Sequence, residues 1–465
     1  MGSSRRYAPP ASPPPKQLRP LLKPSTTLSY PIDLEKLSTQ GWVSLPINYS
    51  ESDPLYEAFS ALFESSARFF DLPEEERMKY RVGARKETNT SEEGYSRVEG
   101  EKCLIALRKA QTTPMEFALR GRAEKAWRAS AGVMRDVLQA IEESLGMSPG
   151  VLVRTSERQL ELPGEGEGNV ATLMRMFRYD RPPPPVSPGE STSAGGGTTS
   201  TASGSRVVSE PHRDLGLLTF VLGHSPGLEC WDAERDEWVS CETNERGLNA
   251  TILVGETLTK FTNGRFVAGR HRVFVHPSHP TNSSADSTLE PTSESQSQPQ
   301  SRISPLTNPS FRYSLVHALR GHLPLLTSSQ SFETPITGAF PPHLAWSDAS
   351  IGEIYNAISR AHWNVNIGVE ERQRQERELR EKHKHPYTKA YDYDYNYSLL
   401  DAGAGESETS WKLAFVLTST DPPSMTIWFP ETYAEAGEHR NRARPAMSVG
   451  DPTRPAGGAH KIKEK

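Results

Sequence analysis

Seven short segments between residues 171 and 319 have the composition of β-strands, and no helical segment lies between them. Turn-forming residues separate the segments, and such a succession is typical of antiparallel sheets. We therefore predict a mostly β structure with flanking helices, whose core is a double-stranded β-helix, or jelly roll. The predicted strands are 171–179, 214–222, 228–231, 237–241, 250–255, 271–276 and 311–319.

Two amphipathic helices are predicted ahead of these strands. The first begins at Asp53, where a capping residue precedes Pro54 in the first turn. The second ends before Gly146, because glycine commonly terminates helices. Their buried faces are predicted from apolar spacing. They comprise Leu55, Phe59, Leu62, Phe63 and Phe70 in the first helix, and Trp127, Val133, Val137, Leu138, Ile141 and Leu145 in the second.

Low-complexity segments divide the chain into regions. Only 35% of the 465 residues are hydrophobic, and the mean hydropathy is −0.61, so we expect much of the chain to be disordered. We predict a basic, proline-rich disordered arm (1–29), followed by a helical and strand region (30–170) and a jelly-roll core (171–322). The core is interrupted by two inserts, at about 182–205 and 278–308. A C-terminal helical extension (323–430) and a disordered tail (431–465) follow.

The C-terminal extension is predicted to contain two helices. Ser350 and Glu353 form a capping-box pattern that opens the first. The mixed-charge run from Glu370 to Lys384 is typical of a solvated helical face, with a partner-binding helix as the alternative.

Charge and cysteine content exclude several classes of protein. The net charge of −5 gives no reason to expect a nucleic-acid partner. Cys103, Cys230 and Cys241 are far apart and indicate a reducing compartment with free thiols, although Cys230 and Cys241 could pair across a hairpin. No apolar stretch approaches a membrane span, and the N-terminus lacks a signal-peptide core. We expect a cytoplasmic monomer that binds no membrane.

Three side chains are candidate metal ligands. Two histidines and one carboxylate can occupy one face of an octahedral Fe(II) ion and leave the other positions open. His212 and Asp214 are two positions apart, so on an extended segment both point to the same side. His271 begins a predicted strand. His276, five positions further on, should face the other way, so we prefer His271 as the third ligand.

A second motif could bind a carboxylate. Arg312 and Ser314 are two positions apart in the alternating run 311–319, so they share one face of the predicted strand. An arginine fork can bind both oxygens of a carboxylate, and a neighbouring hydroxyl adds a hydrogen bond. Either motif alone is common by chance, and only their order and flanks give them weight.

In order and spacing, these motifs resemble the 2-oxoglutarate- and iron(II)-dependent dioxygenases, in their isopenicillin N synthase-like branch. The resemblance covers roughly residues 30 to 322. In chain order, the matching segments are Gln40-Gly41-Trp42, Phe69-Phe70-Asp71-Leu72-Pro73, Glu93-Gly94-Tyr95, His212-Arg213-Asp214-Leu215-Gly216, Gly227-Leu228-Glu229-Cys230-Trp231, Gly255-Glu256, Asn263-Gly264, His271-Arg272-Val273 and Arg312-Tyr313-Ser314. The family's Asn-x-Tyr reads Phe177-Arg178-Tyr179 here, without the asparagine.

The resemblance implies an enzyme that uses Fe(II), 2-oxoglutarate and O₂ to hydroxylate, desaturate or otherwise oxidise a small organic molecule, for example in specialised metabolism. It assigns His212, Asp214 and His271 as catalytic iron ligands. It assigns Arg312, Ser314 and Tyr179 to the co-substrate. Two alternatives stay open: an isopenicillin N synthase-like oxidase that does not use 2-oxoglutarate, and a non-catalytic jelly-roll binding protein.

Overall fold

The structure is a computed structural model, and it describes residues 19–47, 53–82, 93–110, 112–164, 171–182, 205–244, 247–277, 308 and 310–384. Its seven helices in this part of the chain are α1 (Leu34–Gln40), α2 (Pro54–Phe70), α3 (Glu74–Met78), α4 (Leu119–Ser144), α5 (Glu256–Phe261), α6 (Ile351–Ser359) and α7 (Val369–Lys384). Short 3-10 helices lie at Glu116–Ala118, Val153–Gln159 and Ser329–Phe332.

The strands of the described residues are short. They are β1 (Trp42–Pro46), β2 (Gly94–Val98), β3 (Lys102–Leu107), β4 (Leu173–Asp180), β5 (Arg206–His212), β6 (Leu218–Gly223), β7 (Leu228–Asp232), β8 (Glu237–Ser240), β9 (Thr243–Asn244), β10 (Gly247–Val254), β11 (His271–Val275), β12 (Phe311–Leu319), β13 (Leu326–Thr327) and β14 (Ala349–Ser350). Their pairings are all antiparallel.

Two sheets form the core. The larger has the strand order β1-β10-β6-β12-β4-β3-β2, and the smaller has the order β5-β11-β7-β8. From β4 to β12 the chain passes repeatedly from one sheet to the other, so that four strands of each sheet enclose a common interior. This path is that of a jelly roll, and the predicted fold is confirmed.

Helices α2 and α4 pack on the outer face of the larger sheet. The Phe59 ring of α2 lies 5.1 Å from the Phe220 ring of β6, between ring centroids. Asp53 caps α2 by accepting a hydrogen bond from the Leu55 amide at 2.9 Å. Gly146 has a positive φ of 67°, just past the end of α4. Both predicted helix boundaries are confirmed, and the predicted apolar faces are buried.

The C-terminal helices also match the predicted patterns. The capping box of Ser350 and Glu353 is present at the start of α6. Helix α7 covers the whole of the predicted mixed-charge run, but the side chain of Arg372 in its first turn is only 3% exposed. One side of α7 is therefore held against the core, and only the rest is solvated.

Arg372 fastens α7 to both sheets. Its guanidinium lies 2.8 Å from Glu101, which precedes β3, and 3.1 Å from Glu210 of β5. Beside it the fully buried Lys102 donates to the carbonyls of Val208 and Val365 at 2.8 Å and 3.2 Å. Burial lowers the pKa of Lys102 to about 8. These contacts join α7 and the residues before it to β3 and β5.

Both predicted inserts begin and end at one end of the barrel. Phe311 pairs with Asp180, and Arg206 pairs with Val275, so the four strand ends that flank the inserts lie together. The Arg206 guanidinium donates to the Asp180 carbonyl at 2.7 Å, which joins the two pairs. Residues 183–204 and 278–307 lie outside the described residues, as do the predicted tail and the first part of the arm.

Residues 19–29, the described part of the predicted arm, lie against the end of α4. The Leu22 amide donates to the Ser144 carbonyl at 2.8 Å. The Ser25 and Thr26 hydroxyls both donate to the Glu143 carboxylate. This stretch thus has defined contacts although its composition predicts disorder. Across the part of the chain that is described, no helix is long and apolar enough to cross a membrane.

Candidate metal centre

Three potential ligands converge at one end of the barrel: His212, Asp214 and His271, called here the trio. Each histidine Nε2 atom lies 3.9 Å from a different oxygen of the Asp214 carboxylate. The two imidazole rings are 4.2 Å apart between centroids. All three ligand atoms lie within 4.8 Å of one another, so a single cation could bind to all of them.

Neighbouring strands bring the two histidines together. His212 ends β5 and His271 begins β11, and the two residues are direct partners in the antiparallel register. Asp214 follows β5 in a loop, and its carbonyl accepts a hydrogen bond from the Glu256 amide at 2.8 Å. The strand predicted from residue 214 begins only at Leu218. The His-x-Asp segment therefore spans a strand end and a loop rather than one continuous strand.

Backbone carbonyls set the tautomers of both histidines. The His212 Nδ1 atom lies 2.8 Å from the Glu210 carbonyl, and the His271 Nδ1 atom lies 3.1 Å from the Gly269 carbonyl. A carbonyl can only accept, so each Nδ1 carries the hydrogen. The lone pair is thereby left on Nε2, the atom that faces Asp214, as in histidines that bind metals.

The electrostatics around His212 and Asp214 favour the ionisation states that metal binding requires. Burial and the neighbouring His271 lower the pKa of His212 to about 3, so its imidazole is neutral at pH 7. Burial raises the pKa of Asp214, but its interactions with His271, His212 and other neighbours together lower it by more, so the net shift is downward. Neutral imidazoles and an ionised carboxylate are the forms that bind divalent metals.

The histidine that we set aside lies elsewhere. His276 follows the far end of β11, and its Nδ1 atom is 2.9 Å from the Ser205 hydroxyl. His317 is also remote from the trio. It faces the helices on the outer side of the larger sheet, with Nδ1 2.7 Å from the Ser130 hydroxyl.

The predicted carboxylate-binding residues line the interior between the sheets. Arg312 and Ser314 lie on β12, and Tyr179 faces Arg312 across the β4–β12 pair. The Arg312 guanidinium lies 5.3 Å from the Tyr179 ring centroid, and the Ser314 hydroxyl hydrogen-bonds the Tyr179 hydroxyl. Burial raises the pKa of Tyr179, so its hydroxyl stays protonated. We call Arg312, Ser314 and Tyr179 the clamp.

The clamp has an internal partner that sequence reasoning missed. The Glu242 carboxylate lies 2.8 Å and 2.9 Å from Arg312 Nη2, measured to its two oxygens, and both side chains are almost completely buried. The Nε atom of Arg312 donates to the Ser225 carbonyl at 3.1 Å. No sequence pattern indicates this pair, because 70 positions separate the two residues.

Two glycines make room for this pair. A Cβ atom at Gly227 would lie 2.3 Å from Arg312 Nε, and one at Gly223 would lie 2.3 Å from a Glu242 oxygen. Any larger residue at either position would displace the buried ion pair. Gly227 belongs to the segment that carries the sequence resemblance, and close approach of the arginine explains why glycine stands there.

No family model matches the chain. A curated relative is 2-oxoglutarate-dependent dioxygenase 21, chloroplastic, from Oryza sativa subsp. japonica, which is 37% identical over 67 residues. The match covers 14% of this chain and 20% of the relative, so the chain spans about a fifth of that protein's length. Over those residues the resemblance predicted from the sequence is confirmed.

Solved structures with similar folds include oxygenases. A full-length Neurospora crassa protein in complex with alpha-KG and thymine is 16% identical, with a TM-score of 0.45 and coverage of 70% of this chain and 87% of that one. JOX2 in complex with 2OG, Fe and JA is 15% identical, with a TM-score of 0.45 and coverage of 75% and 89%. At these TM-scores, the fold assignment depends on the strand topology described above.

Proposed function

We propose that this chain is an Fe(II)- and 2-oxoglutarate-dependent oxygenase that oxidises a small organic molecule. The observation that carries the proposal is the trio at one end of a jelly-roll barrel, with both Nε2 atoms and one carboxylate facing a common point. The short match to a rice 2-oxoglutarate-dependent dioxygenase supports the same chemistry.

The residues of the trio fit iron. Two imidazoles and one carboxylate are the ligand set typical of Fe(II) oxygenases, and His212 is neutral at pH 7, as metal binding requires. When bound, Fe(II) together with 2-oxoglutarate and O₂ supplies the oxidising chemistry. His212, Asp214 and His271 would hold the metal, while Phe177, Val208 and Val275 supply an apolar wall that excludes water from the interior.

The clamp fits a carboxylate in part. Ser314 and Tyr179 offer hydroxyls, and the buried Arg312 Nη1 atom has no hydrogen-bond partner among the residues that the structure describes. These groups would hold the distal carboxylate of 2-oxoglutarate. The position of the family's asparagine is occupied by Phe177, whose ring stacks on Tyr179 at 5.4 Å and can offer no hydrogen bond.

One observation favours a second candidate, an oxidase of the same fold that does not consume 2-oxoglutarate. Arg312 is already paired with Glu242, so its charge is balanced without a co-substrate carboxylate. In that case the trio would still hold Fe(II), and the substrate itself would fill the remaining space. The non-catalytic alternative has less support, because all three ligands of the trio are in place.

We further propose that the protein is a cytoplasmic monomer whose substrate belongs to specialised metabolism. The net charge of −5 supports a partner other than nucleic acid. The interior between the sheets is the only candidate substrate site that the proposal uses, and its mixture of apolar walls and buried cations suits a small molecule with an acidic or polar group.

The first test is anaerobic Fe(II) binding followed by turnover. Wild-type protein should bind one Fe(II) per chain, and His212→Ala, Asp214→Ala and His271→Ala should each abolish this binding and turnover. His276→Ala is the matched control, because that histidine follows the far end of β11 and lies outside the trio. Fe(II)-dependent succinate release from 2-oxoglutarate, with a panel of substrates, then identifies the reaction.

Two results would contradict the proposal. If Asp214→Ala kept its iron while His276→Ala lost it, the trio would not be the metal site. If the iron-loaded protein oxidised its substrate at full rate without 2-oxoglutarate, the oxidase would be the better description.

A further inference from the structure

We propose that Glu242 is a built-in occupant of the clamp, and that the distal carboxylate of 2-oxoglutarate binds by displacing it from Arg312. The inference rests on the proposed function and concerns the same site. It makes Glu242 a residue that sets co-substrate affinity, although Glu242 lies outside the motifs from which the site was predicted.

The geometry shows a carboxylate in the position that a co-substrate would need. Both Glu242 oxygens contact a single nitrogen, Arg312 Nη2, at 2.8 Å and 2.9 Å. The oxygen at 2.8 Å, Oε2, also accepts a hydrogen bond from the Leu228 amide at 2.7 Å. Neither side chain of the pair reaches solvent, so water cannot take the place of either partner.

Glu242 does not use the arginine fork fully. A two-pronged carboxylate would contact two guanidinium nitrogens. Glu242 contacts only one, and within the described part of the chain the buried Nη1 atom has no hydrogen-bond partner. An incoming carboxylate could bond Nη1 and Nη2 together and also meet the Ser314 and Tyr179 hydroxyls. Arg312 is therefore better satisfied by an external carboxylate than by Glu242.

The surrounding charge permits the exchange. Arg181 lies close enough to Arg312 for the two charges to interact, and burial together with that charge lowers the pKa of Arg181. Its hydrogen bonds in the described residues go to neutral atoms, the carbonyls of Phe311 and His276 and the Ser225 hydroxyl. Two guanidinium charges thus lie near each other, and in the described residues only that of Arg312 is paired with a carboxylate, so a second carboxylate would balance the charge.

Glu242 also keeps a partner if it is displaced. Its hydrogen bond from the Leu228 amide does not involve Arg312, so the side chain can leave Nη2 and remain bonded to the backbone. Repulsion between the two carboxylates would still weaken co-substrate binding in the wild-type protein. Removing the charge of Glu242 should therefore strengthen binding of 2-oxoglutarate.

The test measures 2-oxoglutarate binding directly, without turnover. Full-length protein is loaded with Fe(II) under anaerobic conditions and titrated with 2-oxoglutarate, and the visible charge-transfer absorption of the Fe(II)–2-oxoglutarate complex is followed. We expect Glu242→Gln to lower the Kd about tenfold or more, because one competing charge is gone. Glu229→Gln is the control. That carboxylate pairs with Arg272 at 2.8 Å on the smaller sheet, and its loss should leave the Kd unchanged.

A second variant covers the case in which Glu242→Gln fails to fold. Glu242→Asp keeps the negative charge but moves it away from Arg312 by the length of one methylene. It should therefore lower the Kd for 2-oxoglutarate by a smaller factor than Glu242→Gln does. Tighter binding in either folded variant supports the inference. Weaker binding in both would overturn it, because Glu242 would then be a positioning residue that holds Arg312 for the co-substrate, and the proposed function would stand. If the charge-transfer absorption were absent from the iron-loaded wild-type protein and from all variants, the protein would not bind 2-oxoglutarate. Both the use of 2-oxoglutarate in the proposed function and this inference would then be wrong.

Discussion

The two histidines of the trio are oriented by the same local device. In each, Nδ1 faces the backbone carbonyl of the residue two positions earlier, Glu210 for His212 and Gly269 for His271. No carboxylate side chain is needed to fix the tautomer. The orientation of both imidazoles therefore depends on the backbone of β5 and of the segment before β11, and substitutions of the Glu210 side chain should leave it intact.

A residue outside the trio gives a prediction about acid stability. His317 is buried beside Trp127, at 4.4 Å between ring centroids, and burial lowers its pKa to about 3. An unfolded chain protonates this histidine near pH 6.5, so the folded state loses stability as the pH falls from 6.5 towards 3. Replacing it by leucine should remove a pH dependence of up to about 1.4 kcal/mol per pH unit.

Urea denaturation of metal-free protein at pH 7, 5 and 4 measures this effect. The comparison is between the slopes of wild-type and His317→Leu stability against pH, so other titrating groups cancel. Parallel curves for the two proteins would contradict the assigned protonation state of His317.

At the scale of elements, the sequence predicts those with strong local patterns. The capped helices α2 and α6 and the alternating strand β12 match their predicted positions closely. Strand β5 was not predicted. It follows a low-complexity insert and contains Pro211, and its apolar content is low. Its position at the edge of the smaller sheet explains why such a sequence can form a strand, since an edge strand tolerates proline.

The ion-pair partners of buried arginines could not be predicted from local sequence patterns. The motifs predict that His212, Asp214 and His271 form one group, because their residue types and their order along the chain suit a metal site. Glu242 has no such pattern, and its pairing with Arg312 arises only when β12 and the segment after β8 meet in space. The burial of Arg372 in the charged helix α7 could not be predicted either, because its partner Glu101 lies 271 positions away in the sequence.

Helix α7 gives a matched pair of stability predictions. Arg372→Ala leaves the buried Glu101 without its cation, removes the ion pair with the more exposed Glu210, and should lower the free energy of unfolding by about 3 kcal/mol. Arg374→Ala, on the same helix, exposes no buried charge, because it removes ion pairs with the partly exposed Glu371 and the exposed Glu378, and it should change stability little. Urea denaturation curves of the two variants provide the measurement. Equal losses would show that the buried contact does not hold the helix to the core.

At the scale of the whole molecule, the inserts are predicted to be dispensable. Flexible loop length between fixed strand ends costs little free energy. Replacing residues 184–204 and 280–304 with short Gly/Ser linkers should leave the thermal midpoint and Fe(II) binding nearly unchanged. Calorimetry of each deletion separately tests this, and a large fall in Tm for either one would mean that the segment packs on the core.

The two ends of the barrel have different surroundings. The strand ends at Asp180, Arg206, Val275 and Phe311 lie together, whereas His212 and His271 stand at the opposite ends of β5 and β11. Asp214 retains 24% of its side-chain exposure at that second end. An affinity handle attached next to Asp180 or Arg206 would therefore be joined to the barrel at the strand ends opposite those of the trio, so the protein could be immobilised on a surface with the trio facing the solution.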